Sequence, residues 1–96
     1  MKTYSLEQFA PSISEKLDAE RIYEEIVELD PTNNVIVIDF SKMIAMTTMC
    51  AKMIFGKLYV NIGQEKFLQN IQFKNIEEAV QLVIKWGIQQ AVDEMS

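Results

Sequence analysis

The sequence predicts one α/β domain over residues 1–96, in which a small sheet with a buried central strand carries about three packed helices. The first observation is size, because 96 residues with 49% hydrophobic content suit one compact core and are too few for two ordinary domains. The second is that apolar runs typical of strands alternate with segments of helical periodicity. The third is that no proline-rich, glycine-rich or repeated segment divides the chain.

The first third of the chain predicts a short edge strand and an amphipathic helix. Residues 1–9 carry a weak alternation of apolar side chains, which a proline then interrupts. Residues 18–29 place apolar side chains at helical spacing, with glutamates on the opposite side. The start of this helix is open. Asp18 is a reasonable N-cap, whereas Ser12 and Glu15 fit a capping box that would start the helix earlier.

The middle third predicts the innermost strand and a long helix. A run of turn formers leads into residues 35–40, whose nearly continuous apolar, β-branched composition is typical of a strand buried on both faces. Thr47 or Thr48 can cap the following helix, which should run to about Ile62. Gly63 then stands where a C-cap is expected.

The last third predicts a third strand and a long final helix. Phe67, Ile71 and Phe73 form the alternating pattern of the strand, and Asn75 with Glu78 forms a capping-box pattern before the helix.

Trp86 lies slightly off the centre of a wide apolar stripe on the final helix. Its large ring is most simply interpreted as a partly buried core residue. The alternative is that Trp86 makes a homodimer contact.

Composition disfavours several classes of partner. The net charge is -5, with no histidine and nine basic residues scattered along the chain, so nucleic acid is not expected to bind. No segment approaches the roughly 18 to 20 apolar residues of a membrane span, and the N-terminal residues do not resemble a signal sequence. A cytoplasmic protein without a membrane partner is therefore expected.

Catalytic and cofactor chemistry is also disfavoured by the residue types present. Cys50 is the single cysteine and has no histidine to activate it, so a core position is expected for it. Asp39 follows the central strand but has no histidine or paired carboxylate nearby, which favours a turn-stabilising role. Metal-ligand spacing and a phosphate-binding glycine loop are absent from the sequence. We expect a protein that is not an enzyme and uses no cofactor or metal.

Three segments of the chain resemble the STAS-like domain family of bacterial proteins, which are relatives of the anti-sigma-factor antagonists and mostly of unknown function. These segments read VIVIDFSKM, MTTMCAKMIFGKL and GQEKFLQNIQFKN. The resemblance implies a small sheet with helices packed on it. In the better understood relatives a partner kinase phosphorylates a serine or threonine at the start of the helix after the central strand, and the unphosphorylated surface binds that partner. The resemblance therefore implies possible phosphorylation at Thr47 or Thr48 and a protein partner such as a kinase-like ATP-binding protein.

Residues 49–53 depart from the family pattern. The pattern usually reads Ser-Phe-Ala-Asp-Glu, whereas this chain reads MCAKM, so an outward polar site has become apolar and basic. Methionines at helical spacing can simply fill a core, but this helix already has another apolar face. The sequence therefore predicts a partner-binding surface formed by Met46, Met49, Lys52, Met53 and Gly56.

Two functions follow from these patterns. The first is a regulatory protein–protein interaction module of partner-switching type, which binds through the start and outer face of the helix after the central strand. The second is a small-ligand or nucleotide-responsive domain with a pocket near Asp39, Ser41 and Thr47, because ligands often bind at the carboxyl ends of strands in open α/β sheets. The first is favoured because few polar groups converge on such a pocket.

Overall fold

A computed structural model describes residues 1–95 and contains one three-stranded parallel sheet. The strands of this sheet, in spatial order, are β1 (Lys2–Ser5), β3 (Ile36–Asp39) and β5 (Ile71–Lys74). A second, two-stranded parallel sheet pairs β2 (Ser12–Ile13) with β4 (Ala45–Met46). The prediction that residues 35–40 hold the innermost strand is confirmed, because β3 is paired on both sides.

Four helical units pack on these sheets. They are α1 (Lys16–Glu28), a composite helix over residues 48–62, α4 (Gln64–Asn70) and α5 (Glu78–Met95). The composite helix consists of α2 (Thr48–Ala51), a π-helical segment (Lys52–Gly56) and α3 (Lys57–Ile62). Gly63 ends it as predicted, with a φ of 89° that an L side chain rarely adopts. A short 3-10 helix at Glu7–Phe9 follows β1.

Aromatic packing joins the central strand to the composite helix and to the third strand. The ring centroids of Phe40 and Phe55 lie 6.0 Å apart, and Phe73 meets each of these rings edge-on at 5.3 Å. Edge-to-face contacts of this kind contribute about 0.5 to 1.5 kcal/mol beyond the area that they bury. Cys50 is fully buried in the same core, so the predicted core position is confirmed.

The composite helix and α5 approach each other closely enough to require glycine. A Cβ on Gly87 would lie 2.6 Å from the backbone nitrogen of Lys52. A Cβ on Gly56 would lie 2.8 Å from the carbonyl oxygen of Gly87 and 2.8 Å from the Cβ of Ala91. Because most of these neighbours are backbone atoms or sit directly on the backbone, they cannot move aside as a flexible side chain would. We call this contact the glycine seam.

Three local predictions are corrected at the ends of α1 and β5. The first helix begins at Lys16 after an uncapped Glu15, so Asp18 lies in its first turn and is not its N-cap. The capping box is also wrong, because Ser12 belongs to β2, although the earlier helix start that it implied is confirmed. Phe67 belongs to α4 rather than to the third strand, which begins only at Ile71.

The predicted capping role of Asn75 is wrong as well. α5 begins three residues later, at Glu78, and Asn75 has a φ of 57°. Asparagine tolerates this left-handed conformation better than most residues do. Its side chain points back to the end of the central strand, where it donates hydrogen bonds to Asp39 and Ser41.

Candidate functional site

The composite helix starts with a side-chain cap. The Thr47 hydroxyl oxygen accepts a hydrogen bond from the Cys50 backbone nitrogen at 3.2 Å, which satisfies one of the free N–H groups of the first turn. The backbone nitrogen of Thr47 donates to the carbonyl oxygen of Ile13 at 3.0 Å, so strand β2 fixes the position of the cap. Thr47 is exposed and Thr48 is half-buried. Of the two predicted caps, the structure uses Thr47.

Part of the predicted partner-binding surface is exposed and part is not. Met49 is 48% exposed, and Lys52 and Met53 are half-buried. Met46 and Gly56 are buried, so the prediction that they contribute to an exposed surface is corrected. Met46 lies in β4 beneath α5, and Gly56 lies in the glycine seam.

The π-helical segment explains why Gly56 faces α5. An α-helical count places Gly56 on the same side as Met49 and Met53, away from Ala51. A π-helical turn holds more residues than an α-helical turn, so each residue advances by a smaller angle. Over five residues this difference turns Gly56 toward the side of Ala51 and into the glycine seam.

Two grooves flank Met53. The first has a volume of about 380 Å³ and lies between α1 and the composite helix, lined by Glu20, Tyr23, Glu24, Met53 and Lys57. The second has a volume of about 290 Å³ and lies between the composite helix and α5, lined by Lys52, Met53, Lys57, Val60, Ala91 and Glu94. Met53 and Lys57 therefore form a wall shared by both grooves. We define the methionine surface as Met49, Lys52, Met53 and Lys57.

The two lysines of the methionine surface each contact a residue of a neighbouring helix. The Lys57 ammonium nitrogen lies 4.5 Å from the ring centroid of Tyr23, a cation–π distance. Lys52 forms an ion pair with Glu94 of α5. Sequence reasoning missed Lys57 and Tyr23. The spacing of Met53 and Lys57, four residues apart, could have indicated Lys57, but a contact with Tyr23 depends on how α1 packs.

A separate polar cluster lies at the carboxyl end of β3. One carboxylate oxygen of Asp39 accepts hydrogen bonds from the Ser41 hydroxyl at 2.7 Å, the Ser41 backbone nitrogen at 3.0 Å and the Asn75 amide at 3.1 Å. The Ser41 hydroxyl, followed by the Asn75 amide, holds the pKa of Asp39 below its usual value. This arrangement agrees with the predicted turn-stabilising role.

The predicted ligand pocket is brought together only in part. Asp39 and Ser41 are in contact, and Asn75, which sequence reasoning placed elsewhere, is the third member of their cluster. Thr47 donates to neither Asp39 nor Ser41 within residues 1–95, and its hydroxyl oxygen serves the helix start. A ligand pocket at these residues stays a prediction.

Trp86 is half-exposed at the surface of α5, so the predicted partial burial is confirmed and the predicted core position is wrong. It is 51% exposed, and Leu82, one turn earlier on α5, is 45% exposed. Ile44, just before β4, is 63% exposed and shares a groove of about 130 Å³ with Ala79. We define the tryptophan surface as Ile44, Ala79, Leu82 and Trp86.

Residues 1–95 offer neither a cluster of metal ligands nor a membrane-spanning helix. This part of the chain holds no group of three or more His, Cys, Asp or Glu side chains placed to bind a metal ion. Within the same residues, every helix is too short or too polar to cross a membrane.

The fold and the site define a small α/β domain built on a parallel sheet, with exposed apolar surfaces on its helices. A family model described as a STAS-like domain of unknown function (DUF4325) matches residues 18–81, from the first turn of α1 to the first turn of α5. The chain belongs to this STAS-like family, which confirms the family and the fold that the sequence predicted. No curated protein and no solved structure matches the chain.

Proposed function

We propose that this chain is a non-enzymatic protein–protein interaction module, a regulator of partner-switching type that binds through the start and outer face of the composite helix. The observation that carries the proposal is the position of Met53, which lines two grooves on opposite sides of the helix. Met49 extends this apolar region toward the helix start. Methionine side chains are flexible and polarizable, so they adapt to partner side chains of different shape.

The charges around the grooves favour a partner surface that is apolar with a few charged groups. The second groove is lined by apolar groups of Met53, Val60 and Ala91 and by the charged residues Lys52, Lys57 and Glu94. The first groove adds carboxylates from α1. A kinase-like ATP-binding protein as the partner is implied by the family resemblance alone. The non-enzymatic role is supported by the use of Asp39 to hold a turn, in which its carboxylate accepts hydrogen bonds from Ser41 and Asn75.

Phosphorylation is the proposed switch, and Thr47 and Thr48 are the proposed acceptors. A phosphate at this helix N-terminus is favoured by roughly 0.3 to 1 kcal/mol, and by up to about 2 kcal/mol where it is partly buried. Inside an apolar interface the same phosphate must lose its hydration, which costs several kcal/mol for an unpaired charge. The free protein should therefore tolerate phosphorylation, and the complex should dissociate.

The test is a titration after affinity purification has identified a partner. Purified partner is titrated against wild type, Met49→Glu, the Met49→Glu/Met53→Glu double variant and Thr48→Glu. The control is Leu68→Glu, which adds the same charge to an exposed leucine of α4. We expect the double variant to bind at least a hundredfold more weakly, or about 2.8 kcal/mol, and the control to bind like wild type.

The variants differ in how much they disturb the free protein. Position 49 lies in the first helical turn after the Thr47 cap, where a carboxylate is favoured by the helix dipole. Met53 packs against the core and faces Glu20 and Glu24 across the first groove, so its replacement is the harsher change. Melting curves therefore accompany every titration. Undiminished affinity in a folded double variant would place the interface elsewhere and overturn the proposal.

A further inference from the structure

We propose that the tryptophan surface is the interface of a symmetric homodimer, in which α5 packs antiparallel against α5 of a second copy. This proposal concerns residues outside the methionine surface and does not depend on the proposed function. It commits to one occupant, a second copy of this chain. The reasons are the shape of the exposed apolar face and the charges along one of its edges.

The apolar face follows one side of α5. Ala79, Leu82 and Trp86 stand at helical spacings of three and four residues, so they point in similar directions. All three are exposed, although α5 already buries its opposite side against the core. Ile44 adds an exposed side chain next to Ala79. A contiguous exposed patch with an aromatic residue is a common feature of interaction sites.

The edge of this face carries two opposite charges at a spacing that fits self-association. Glu78 and Lys85 are seven residues apart, so at 100° per residue they point within about 20° of each other. Both are exposed, and neither forms an ion pair within residues 1–95. In an antiparallel helix pair with twofold symmetry, like edges of the two helices face each other. Glu78 then meets Lys85 of the second copy, and the symmetry axis repeats the pair.

The charge pairs also fix the register of the two helices. Pairing Glu78 with Lys85 places the twofold axis beside Leu82, so the two copies of Leu82 meet near the centre. Trp86 then lies close to Ala79 of the second copy. Ala79 lines the groove of about 130 Å³ together with Ile44, and this groove receives the edge of the ring. The charged and the apolar residues therefore select the same antiparallel arrangement.

The interface is small, which sets the expected affinity. A contact made by one helix and one loop residue from each copy falls at the low end of specific interfaces, at or below about 1,200 Å² in total. We expect a dissociation constant in the micromolar range, with monomers predominating at nanomolar concentration. Sedimentation equilibrium over a concentration series measures this constant for the wild type.

A charge-swap experiment tests the register. Glu78→Lys and Lys85→Glu each place like charges opposite each other at both ends of a homodimer, so each variant alone should dimerise at least tenfold more weakly than wild type. An equimolar mixture of the two variants places one doubly basic edge against one doubly acidic edge. The mixture should therefore regain dimerisation as a heterodimer. A mixture that stays monomeric, or single variants that dimerise like wild type, would overturn the proposed register and interface.

Fluorescence of the single tryptophan of the chain provides a second, independent measurement of dimerisation. Trp86 is half-exposed in the monomer, so its fluorescence emission should shift to shorter wavelength as the protein concentration rises through the dissociation constant. Leu82→Glu should abolish the shift, whereas Leu17→Glu, an equally charged change at an exposed leucine of α1, should leave it intact. A wild type that stays monomeric at high micromolar concentration would overturn the proposal. So would a dimer that forms without a change in emission.

Discussion

The methionine surface and the tryptophan surface both expose apolar side chains, but they are built differently. The grooves beside Met53 have walls from α1, the composite helix and α5, with charges of both signs around them. The tryptophan surface depends on one side of α5 and on Ile44. One edge of the tryptophan surface carries two opposite charges, Glu78 and Lys85, which are seven residues apart. The methionine surface lies on the composite helix, and most of the tryptophan surface lies on α5. These two helices are joined at the glycine seam.

The two surfaces are suited to different kinds of partner. Flexible methionines beside grooves of mixed charge can adjust to different partners, and such surfaces are typical of changing interactions. A rigid indole beside a charge pattern that complements its own symmetry copy suits one fixed partner. The methionine surface is therefore suited to the proposed regulated partner, and the tryptophan surface to the proposed second copy of the same chain.

The largest expected loss of stability comes from Gly87→Ala, which adds a methyl group within the glycine seam. The added methyl group would lie 2.6 Å from a backbone nitrogen, so the two helices must separate. Overpacking of this kind costs about 3 kcal/mol, which lowers the melting temperature of a domain of this size by roughly 12 to 24 °C. The affinity for the partner and the affinity of the homodimer should both fall. Gln90→Ala on the exposed side of the same helix is the control, and a Gly87→Ala variant as stable as wild type would contradict the seam geometry.

The second expected effect distinguishes partner binding at the methionine surface from homodimerisation at the tryptophan surface. Met49→Glu should weaken partner binding strongly and leave homodimerisation unchanged, whereas Leu82→Glu should do the reverse. Stranding a single charge in an apolar contact can cost about 2.8 kcal/mol, or a hundredfold in affinity. Titration and sedimentation equilibrium on both variants measure the two affinities. If either substitution weakened both interactions equally, the two surfaces would not be independent.

A smaller effect is expected from Thr47→Ala. Loss of the hydroxyl removes the cap that accepts the Cys50 N–H, at a cost of about 1 kcal/mol. The first turn that carries Met49 should fray, so partner affinity should fall while dimerisation is kept. Thr48→Ala is the matched control, since Thr48 does not supply the cap. Equal melting temperatures for the two variants would show that the cap contributes nothing.

The smallest expected effect is a pH dependence of stability, which should alter neither the methionine surface nor the tryptophan surface. Hydrogen bonds from Ser41 and Asn75 lower the pKa of Asp39 in the folded protein. Their stabilisation is therefore fully present above the unfolded pKa of about 3.9 and is lost as the pH falls through the lower folded value. The melting-temperature difference between wild type and Asp39→Asn should be largest near neutral pH and shrink below about pH 4. A difference that is constant with pH would contradict this account, and Glu77→Gln controls for the loss of one exposed carboxylate.

Patterns that depend on neighbours in the chain were predictable from the sequence. The buried strand follows from its β-branched run, and the Thr47 cap and Gly63 C-cap follow from side-chain chemistry at the ends of one helix. Each of these features is decided by residues close in sequence. The family resemblance rested on the same segments and agrees with the match over residues 18–81.

Features that depend on contacts between distant segments were not predictable. Asn75 looked like a cap because its partners, Asp39 and Ser41, are more than thirty residues away. Gly56 was assigned to the outer face because an α-helical count cannot include a π-helical segment. The grooves beside Met53 need α1 and α5 as walls, and the exposure of Trp86 depends on how α5 lies on the core.

The π-helical segment has a consequence for how this family can vary. Deleting one residue within Lys52–Gly56 would allow regular α-helical hydrogen bonds and would preserve both ends of the composite helix. Because each π-helical residue advances by less than an α-helical one, four α-helical residues turn through nearly the same angle as the five residues here. A relative with a helix one residue shorter would therefore keep Met49 and the glycine seam in place and lose one side chain from the part of the helix between them. A single insertion or deletion can thus change the side chains that line the grooves while both ends of the helix and the sheet stay the same.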